Sequence, residues 1–96
     1  MPVTFHISGA LRPFAGGRDR IEIAGAPATV GEAFEALWAV CPGLRDRVVT
    51  EEGAIREHVN VFVGPENVRY SGGLTTALDA DAEISIFPAI SGGRGV

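Results

Sequence analysis

The chain has 96 residues, of which 46% are hydrophobic, and this composition predicts one small folded domain rather than a disordered chain. Its formal net charge of −4 argues against nucleic acid or an anionic membrane as the main partner. We expect a cytoplasmic protein, because the start of the chain lacks the features of a signal peptide and no apolar run has the length of a membrane span.

The first half of the chain predicts two strands. Val3, Phe5 and Ile7 alternate with polar residues, and Ile21 and Ile23 do the same. This alternation is typical of strands that bury one face. We expect the two strands to pair as a hairpin, since only a short connector with turn residues separates them.

A helix is predicted after these strands. Thr29 and Glu32 have the spacing of a capping box, and Pro42-Gly43 is expected to end the helix. Residues 44–57 leave room for a short helical turn. The apolar positions on one face of the helix are Val30, Ala33 or Phe34, Leu37 and Cys41.

The second half predicts three more strands. Residues 59–63 alternate around three valines, residues 64–67 have the composition of a turn, and residues 68–70 are expected to form a short fourth strand. An irregular connection follows, with positive φ expected at one or both of Gly72 and Gly73. Residues 84–88 complete the order β-β-α-β-β-β. One helix packed on one face of a mixed sheet would bury the apolar side of each element.

Few side chains are candidates for metal binding or catalysis. Cys41 is the only cysteine, and His6 and His58 are the only histidines, so the chain cannot form an internal disulfide or a zinc-finger site. We expect no metal site and no catalytic residue. Cys41 lies on the apolar face of the helix, which favours a buried structural thiol over a sulfur-carrying one. Trp38 is expected to be half-buried.

The carboxyl-terminal segment is the most informative part of the chain. The last strand runs into Gly92-Gly93, and no charged residue stands between Glu83 and Arg94. Two consecutive glycines form a thread that can enter a narrow active site. The pattern therefore indicates a terminus on which another protein acts, although glycine-rich chain ends without function are also common.

Four motifs stand in order on the expected elements: Leu11-Arg12-Pro13 with Gly16-Gly17, Val59-Asn60-Val61, Val68-Arg69-Tyr70-Ser71-Gly72-Gly73-Leu74 and Phe87-Pro88-Ala89-Ile90-Ser91-Gly92-Gly93. Together they resemble the motifs of the MoaD/ThiS-type sulfur carriers, and within them the carriers of cysteine synthesis. The resemblance implies an α+β, β-grasp (ubiquitin-like) fold with four to five strands and one main helix in residues 1–90, and a flexible tail in residues 91–96.

The resemblance implies that the chain is not an enzyme and binds no cofactor. In this family an E1-like enzyme uses ATP to adenylate the carboxylate of the terminal glycine, and sulfur then replaces the adenylate to give a thiocarboxylate. A sulfur-accepting enzyme, such as a PLP-dependent sulfhydrylase, takes the sulfur for cysteine or another sulfur metabolite. Gly93 would carry the sulfur, and Gly92 would give it reach.

The last three residues depart from the family pattern, in which the mature carrier ends at the second glycine. Here the free carboxylate belongs to Val96, about 10 Å beyond Gly93 in an extended chain. Arg94-Gly95-Val96 is expected to be a precursor segment that a JAMM-type metalloprotease removes. The segment could also be a cloning artefact or the result of terminal drift, or the chain could be a carrier that has lost sulfur transfer.

Phe62 and Phe87 are predicted to form a docking patch for the partner enzymes. Strand alternation places both on the face opposite the core, with His6 at the border. The alternative is a cross-strand pair that only packs on itself. Arg12 and Arg69 match family positions and are candidates for pairing with an acidic partner, although either could be an ordinary solvated arginine.

Other functions remain open. The chain could be a subunit of the molybdopterin-synthase type, whose tail stays inserted in a larger enzyme. It could be a ubiquitin-like modifier that forms amide bonds with lysines of other proteins. It could also be a β-grasp interaction module without tail chemistry.

Overall fold

The computed structural model describes residues 3–88, and the strands in this range form one five-stranded sheet. The strands are β1 (Val3–Ile7), β2 (Arg20–Ile23), β3 (Val59–Val63), β4 (Glu66–Asn67) and β5 (Glu83–Pro88), in the order β2-β1-β5-β3-β4. The predicted hairpin between β1 and β2 is confirmed. β5 lies at the centre, parallel to β1 and antiparallel to β3, so the sheet is mixed.

Two α-helices, α1 (Val30–Val40) and α2 (Pro42–Val48), cover one face of this sheet. Thr29 Oγ1 accepts a hydrogen bond from the Glu32 amide at 3.2 Å, as the capping box predicts. The Glu32 carboxylate accepts from the Ala28 amide at 2.9 Å, one residue before the cap. Pro42 ends α1 but also begins α2, because a proline in the first turn of a helix loses no hydrogen bond.

The segment after β3 differs from the prediction. Residues 68–70 form a 3₁₀ helix rather than a strand, and the fourth strand is Glu66–Asn67. The physical reason is a local hydrogen bond: Asn67 Oδ1 accepts from the Arg69 amide at 2.9 Å and draws the chain into a turn. Val68 is buried and anchors that turn. The turn between β3 and β4 is therefore limited to residues 64–65.

The hydrophobic core lies between the sheet and the helices. Its largest fully buried side chains come from β1, α1, α2 and β5, and burying each of them contributes roughly 1.5–3 kcal/mol. The largest of these core side chains are Phe5, Leu37, Leu44, Ile84 and Ile86. Along β5 the buried residues alternate with outward-facing ones. The outward-facing residues lie on the second face of the sheet, which no helix of residues 3–88 covers.

Two further 3₁₀ helices connect the elements, at Gly9–Ala15 and Gly73–Thr75. Gly72 and Gly73 have φ of 122° and 59°, so the predicted positive φ is confirmed at both positions. The Val30 amide donates to Thr76 O at 3.0 Å, which ties this connection to the start of α1. None of the helices in residues 3–88 has both the length and the apolar character needed to cross a membrane.

Candidate functional site

Phe62 and Phe87 lie together on the open face of the sheet. The register pairs Phe62 with Ser85 and Phe87 with Asn60, so the two rings are diagonal neighbours on adjacent strands. Their centroids are 5.5 Å apart, with 21° between the ring planes. Phe87 remains 36% exposed. The rings therefore pack on each other and still present an apolar surface to solvent, which we call the aromatic patch.

A polar pair borders the aromatic patch. His6 faces Ser85 from β1, on the side of β5 opposite Phe62. Its Nε2 lies 2.7 Å from Glu83 Oε1. This hydrogen bond holds Glu83 against the open face at the beginning of β5.

The end of β5 is the point from which the tail departs. Pro88 is paired with Val59 of β3, and on the other side the Ser8 amide donates to Ile86 O at 3.1 Å. The strand is thus held from both sides up to its last described residues. The predicted tail at residues 91–96, with Gly92, Gly93 and the extension Arg94-Gly95-Val96, lies outside the described residues.

The two candidate docking arginines have different surroundings. Arg69 Nη2 donates to the backbone carbonyls of Glu57 and Val59, at 3.1 and 3.2 Å, and so joins the 3₁₀ helix to the start of β3. Arg12 lies 4.0 Å from Asp19 in an exposed ion pair, a contact that contributes little to stability. Arg69 therefore has a structural role, whereas the surroundings of Arg12 leave it accessible to a partner.

Cys41 is buried, as predicted. It is 4% exposed, and its Sγ accepts a hydrogen bond from Arg18 Nη2 at 3.0 Å. Arg18 Nε also donates to Ala15 O at 3.1 Å, so this guanidinium links the first 3₁₀ helix to the junction of α1 and α2. Trp38 is half-buried and its ring lies 5.1 Å from that of Phe34, which confirms its expected position.

The structure also contains a groove that the sequence patterns did not indicate. It has a volume of about 720 Å³ and four carboxylates in its lining: Glu66, Asp79, Asp81 and Glu83. These residues come from the β3–β4 hairpin, the connector before β5 and β5 itself, so no periodic pattern links them. Within residues 3–88, no histidines, cysteines or carboxylates are grouped in a way that could hold a metal ion.

Comparison with known proteins identifies relatives over nearly the full chain. The model of the ThiS family matches residues 5–93. The sulfur carrier protein CysO of Mycobacterium tuberculosis is 36% identical over 95 residues, which cover 97% of this chain and 100% of that protein. Small archaeal modifier protein 1 of Haloferax volcanii is 37% identical over 84 residues, or 86% of this chain and 91% of the relative.

Solved structures show the same architecture. The chain superposes on one chain of the crystal structure of the Amycolatopsis orientalis BexX/CysO complex with a TM-score of 0.84 and 36% identity, covering 95% of this chain and 99% of the matched one. The fold is therefore the α+β, ubiquitin-like β-grasp fold, as predicted. The expected resemblance to the MoaD/ThiS-type sulfur carriers is also confirmed, and CysO is among the relatives.

Proposed function

We propose, because this chain belongs to the ThiS family, that it carries sulfur on Gly93 once that residue has become the carboxyl terminus. The observation that carries the proposal is the point at which the family match ends. It stops at residue 93, the second glycine of the pair, and leaves Arg94-Gly95-Val96 outside. The named relatives are sulfur carriers and modifiers, so the chain is a protein on which enzymes act rather than an enzyme.

The proposed chemistry belongs to partner enzymes. An E1-like enzyme would let the Gly93 carboxylate attack the α-phosphate of ATP, with pyrophosphate leaving. Sulfide sulfur would then attack the acyl carbon, AMP would leave, and the terminus would become a thiocarboxylate. Glycine suits both steps because it has no Cβ to block the approach to the acyl carbon. The ATP-dependent step would take place in the cytoplasm.

A sulfur-accepting enzyme would next use the thiocarboxylate sulfur as a nucleophile. The thiocarboxylate is already ionised near neutral pH, so the carrier needs no general base of its own. The acceptor pathway would be the synthesis of cysteine or of another sulfur metabolite, and a PLP-dependent sulfhydrylase is one enzyme class that fits. The relatives named CysO support a carrier role for this chain.

The fold supports delivery of the tail by a rigid strand. β5 is central in the sheet and paired on both sides, and Ile84 and Ile86 are fully buried. An ordered strand limits the positions that the first residues after Pro88 can reach, which lowers the entropy that a partner must remove on binding. The tail would thus enter a partner's active site from a defined origin.

The aromatic patch of Phe62 and Phe87 is the proposed docking surface for these enzymes. Exposed aromatic pairs are typical anchors of protein interfaces, where a few such residues contribute most of the binding energy. Arg12 is proposed to contact an acidic group of the partner. Arg69 was predicted for the same role. Because its side chain donates hydrogen bonds to two backbone carbonyls, we expect it to support docking indirectly, by fixing the shape of the β3 edge.

The extension Arg94-Gly95-Val96 is proposed to be a precursor segment. While it is present, the carbonyl of Gly93 belongs to an amide bond and has no carboxylate to adenylate. A JAMM-type metalloprotease would add water across the Gly93–Arg94 bond and release the tripeptide. Maturation would then be required before any sulfur transfer.

A second candidate function is that of a protein modifier. The relative named small archaeal modifier protein 1 is 37% identical over 84 residues. The same activated Gly93 could react with a lysine amine instead of sulfide, which would give an amide bond to another protein. Conjugates of higher mass in host lysate, absent when Gly93 is deleted, would favour this function.

The test is an activation assay on two lengths of the chain. The form ending at Gly93 is incubated with the host's E1-like enzyme, ATP and sulfide, and its intact mass is measured. We expect one carboxyl oxygen to be replaced by sulfur in this form, and no change in the form ending at Val96. A trimmed chain that is never thiocarboxylated would contradict the carrier function and favour an interaction module without tail chemistry.

A further inference from the structure

Pro88 is the last residue of β5, and as a proline it has no backbone N–H to donate. A proline in a central strand normally leaves a gap in the hydrogen-bond ladder, and β5 is the central strand of this sheet. Such a residue is accommodated only where neither neighbouring strand offers an acceptor without a donor. The backbone groups on both sides of Pro88 meet this condition.

On the β1 side, the carbonyl that would face an amide at position 88 is already occupied. The Ser8 amide donates to Ile86 O at 3.1 Å, which continues the parallel pairing of β1 with β5. The next bond of this ladder would run from an amide at position 88 to Ser8 O. Ser8 O instead accepts the amides of Leu11 and Arg12, at 3.0 and 3.1 Å. These two bonds use both lone pairs of the carbonyl, so pairing with β1 ends here.

On the β3 side, Pro88 faces Val59, whose backbone groups are bonded elsewhere. The Val59 amide donates to Arg56 O at 3.0 Å, and Val59 O accepts from Arg69 Nη2 at 3.2 Å. Neither of these groups needs a bond from residue 88. The end of β5 is therefore a position at which proline leaves no backbone group of the adjoining strands without a partner.

The proline ring also restricts the backbone at this position. It fixes the φ of Pro88 at about −65° and keeps the preceding residue, Phe87, in the extended region. Gly93 follows five residues later, and five residues span at most about 18 Å. The restricted residue thus joins the aromatic patch to the residue proposed to carry sulfur.

We infer that Pro88 is a positioning residue for the carboxyl terminus: it sets the point at which the sheet releases the chain and the direction in which the chain leaves. The inference rests on the proposed function, in which a partner enzyme holds the aromatic patch while it acts on Gly93. With the φ of Pro88 already fixed, fewer conformations are lost when the terminus enters the active site. Pro88 contacts no reacting atom and acts through the placement of Gly93.

The first test is the steady-state kinetics of activation by the host's E1-like enzyme, with carriers that end at Gly93. We expect Pro88→Ala to raise the KM for the carrier about two- to fivefold and to leave kcat within about 1.5-fold, because only the entropy lost on binding changes. Pro65→Ala is the matched control, since Pro65 lies in the exposed turn between β3 and β4. Both variants should remain folded, because neither proline is buried.

The control variant should match the wild type in both constants. An unchanged KM in Pro88→Ala, an equal rise in Pro65→Ala, or a loss confined to kcat would overturn the inference. A wild-type carrier that the E1-like enzyme does not activate would contradict the proposed function instead, and a second measurement then decides on Pro88.

That measurement is NMR of the full chain, without any partner. In Pro88→Ala the new amide at position 88 should exchange with solvent about as fast as an unprotected amide, because Ser8 O has no lone pair left to accept it. The heteronuclear NOE of Ala89 and Ile90 should be lower than in the wild type, and Pro65→Ala should not change it. A protected amide at position 88, or equal NOE values in Pro88→Ala and the wild type, would show that Pro88 does not set the release of the chain.

Discussion

Truncation of Phe87 separates a docking role from a packing role. Phe→Ala changes in a closed core cost about 3–5 kcal/mol. Phe87 is 36% exposed and lies on the open face, so we expect Phe87→Ala to lower the free energy of unfolding by only about 2 kcal/mol. Small domains are stable by about 5–15 kcal/mol. The variant should therefore remain folded, with a melting temperature lower by about 10 °C.

The effect on partner binding is expected to be larger than this stability loss would produce. An aromatic anchor at the centre of an interface contributes about 2 kcal/mol or more, so affinity for the E1-like enzyme should fall about 30-fold. Calorimetric titration below the melting range measures this loss. Val40→Ala is the matched control, because Val40 is 46% exposed at the end of α1, on the helical side. Its affinity should stay within about twofold of the wild type.

A double-mutant cycle tests the stacked geometry directly. Phe62→Ala, Phe87→Ala and the double variant are unfolded in urea, and the coupling energy between the rings is calculated. Rings stacked at a centroid distance of 5.5 Å predict a coupling of about 1 kcal/mol. A coupling near zero would refute the stacking. An unchanged affinity in Phe87→Ala, or an equal loss in Val40→Ala, would refute the docking role.

Three further changes test the structural roles of individual residues. Arg69→Met should lower the free energy of unfolding by about 1–2 kcal/mol, because two backbone carbonyls lose their charged donor, whereas Arg12→Met should change it by less than about 0.5 kcal/mol; equal values in urea unfolding would contradict this difference. Gly72→Ala should cost about 1–2 kcal/mol, since φ is 122° and a Cβ would lie 3.2 Å from the side chain of Thr75. Gly9→Ala, where a Cβ would meet nothing within 4 Å, should stay close to the wild type in the same assay. The thiol of Cys41 should react with a maleimide only as fast as the domain opens, and Cys41→Ala should retain thiocarboxylation of Gly93; rapid labelling or loss of that activity would point to a functional thiol.

The strands with one buried face could be predicted from the sequence, because burial imposes a period of two on their residues. β1, β2, β3 and β5 all show this alternation, and α1 adds a capping box and an apolar stripe. These signals are local, and each repeats over several residues. The parallel pairing of β1 with β5 is different, since it joins residues about 80 positions apart and no local pattern indicates it.

Short elements could not be predicted, because single contacts determine them. One hydrogen bond from the Arg69 amide to the Asn67 side chain turns residues 68–70 into a 3₁₀ helix. The proline that ends α1 is also the first residue of α2. Because proline is compatible with both a helix end and a helix start, its presence alone does not predict that a second helix follows. Such short elements can be assigned only when the surrounding packing is known.

The candidate site also combines features that the sequence predicts with features that it does not. The aromatic patch could be predicted, since alternation places Phe62 and Phe87 on the open face and the β-grasp arrangement implied by the family resemblance makes their strands neighbours. The structural bonds of Arg69 could not, because their acceptors are backbone carbonyls ten and twelve residues earlier in the chain. The acidic groove could not either, since Glu66 and Asp79 are brought together only by the path of the connector before β5.

The intact mass of the untagged protein from its native host tests the central claim most directly. The account predicts a chain that ends at Gly93, with part of the population carrying sulfur in place of one carboxyl oxygen when sulfur is in demand. A chain that stays complete to Val96 under the same conditions would keep Gly93 in a peptide bond. That result would contradict the sulfur-carrier function.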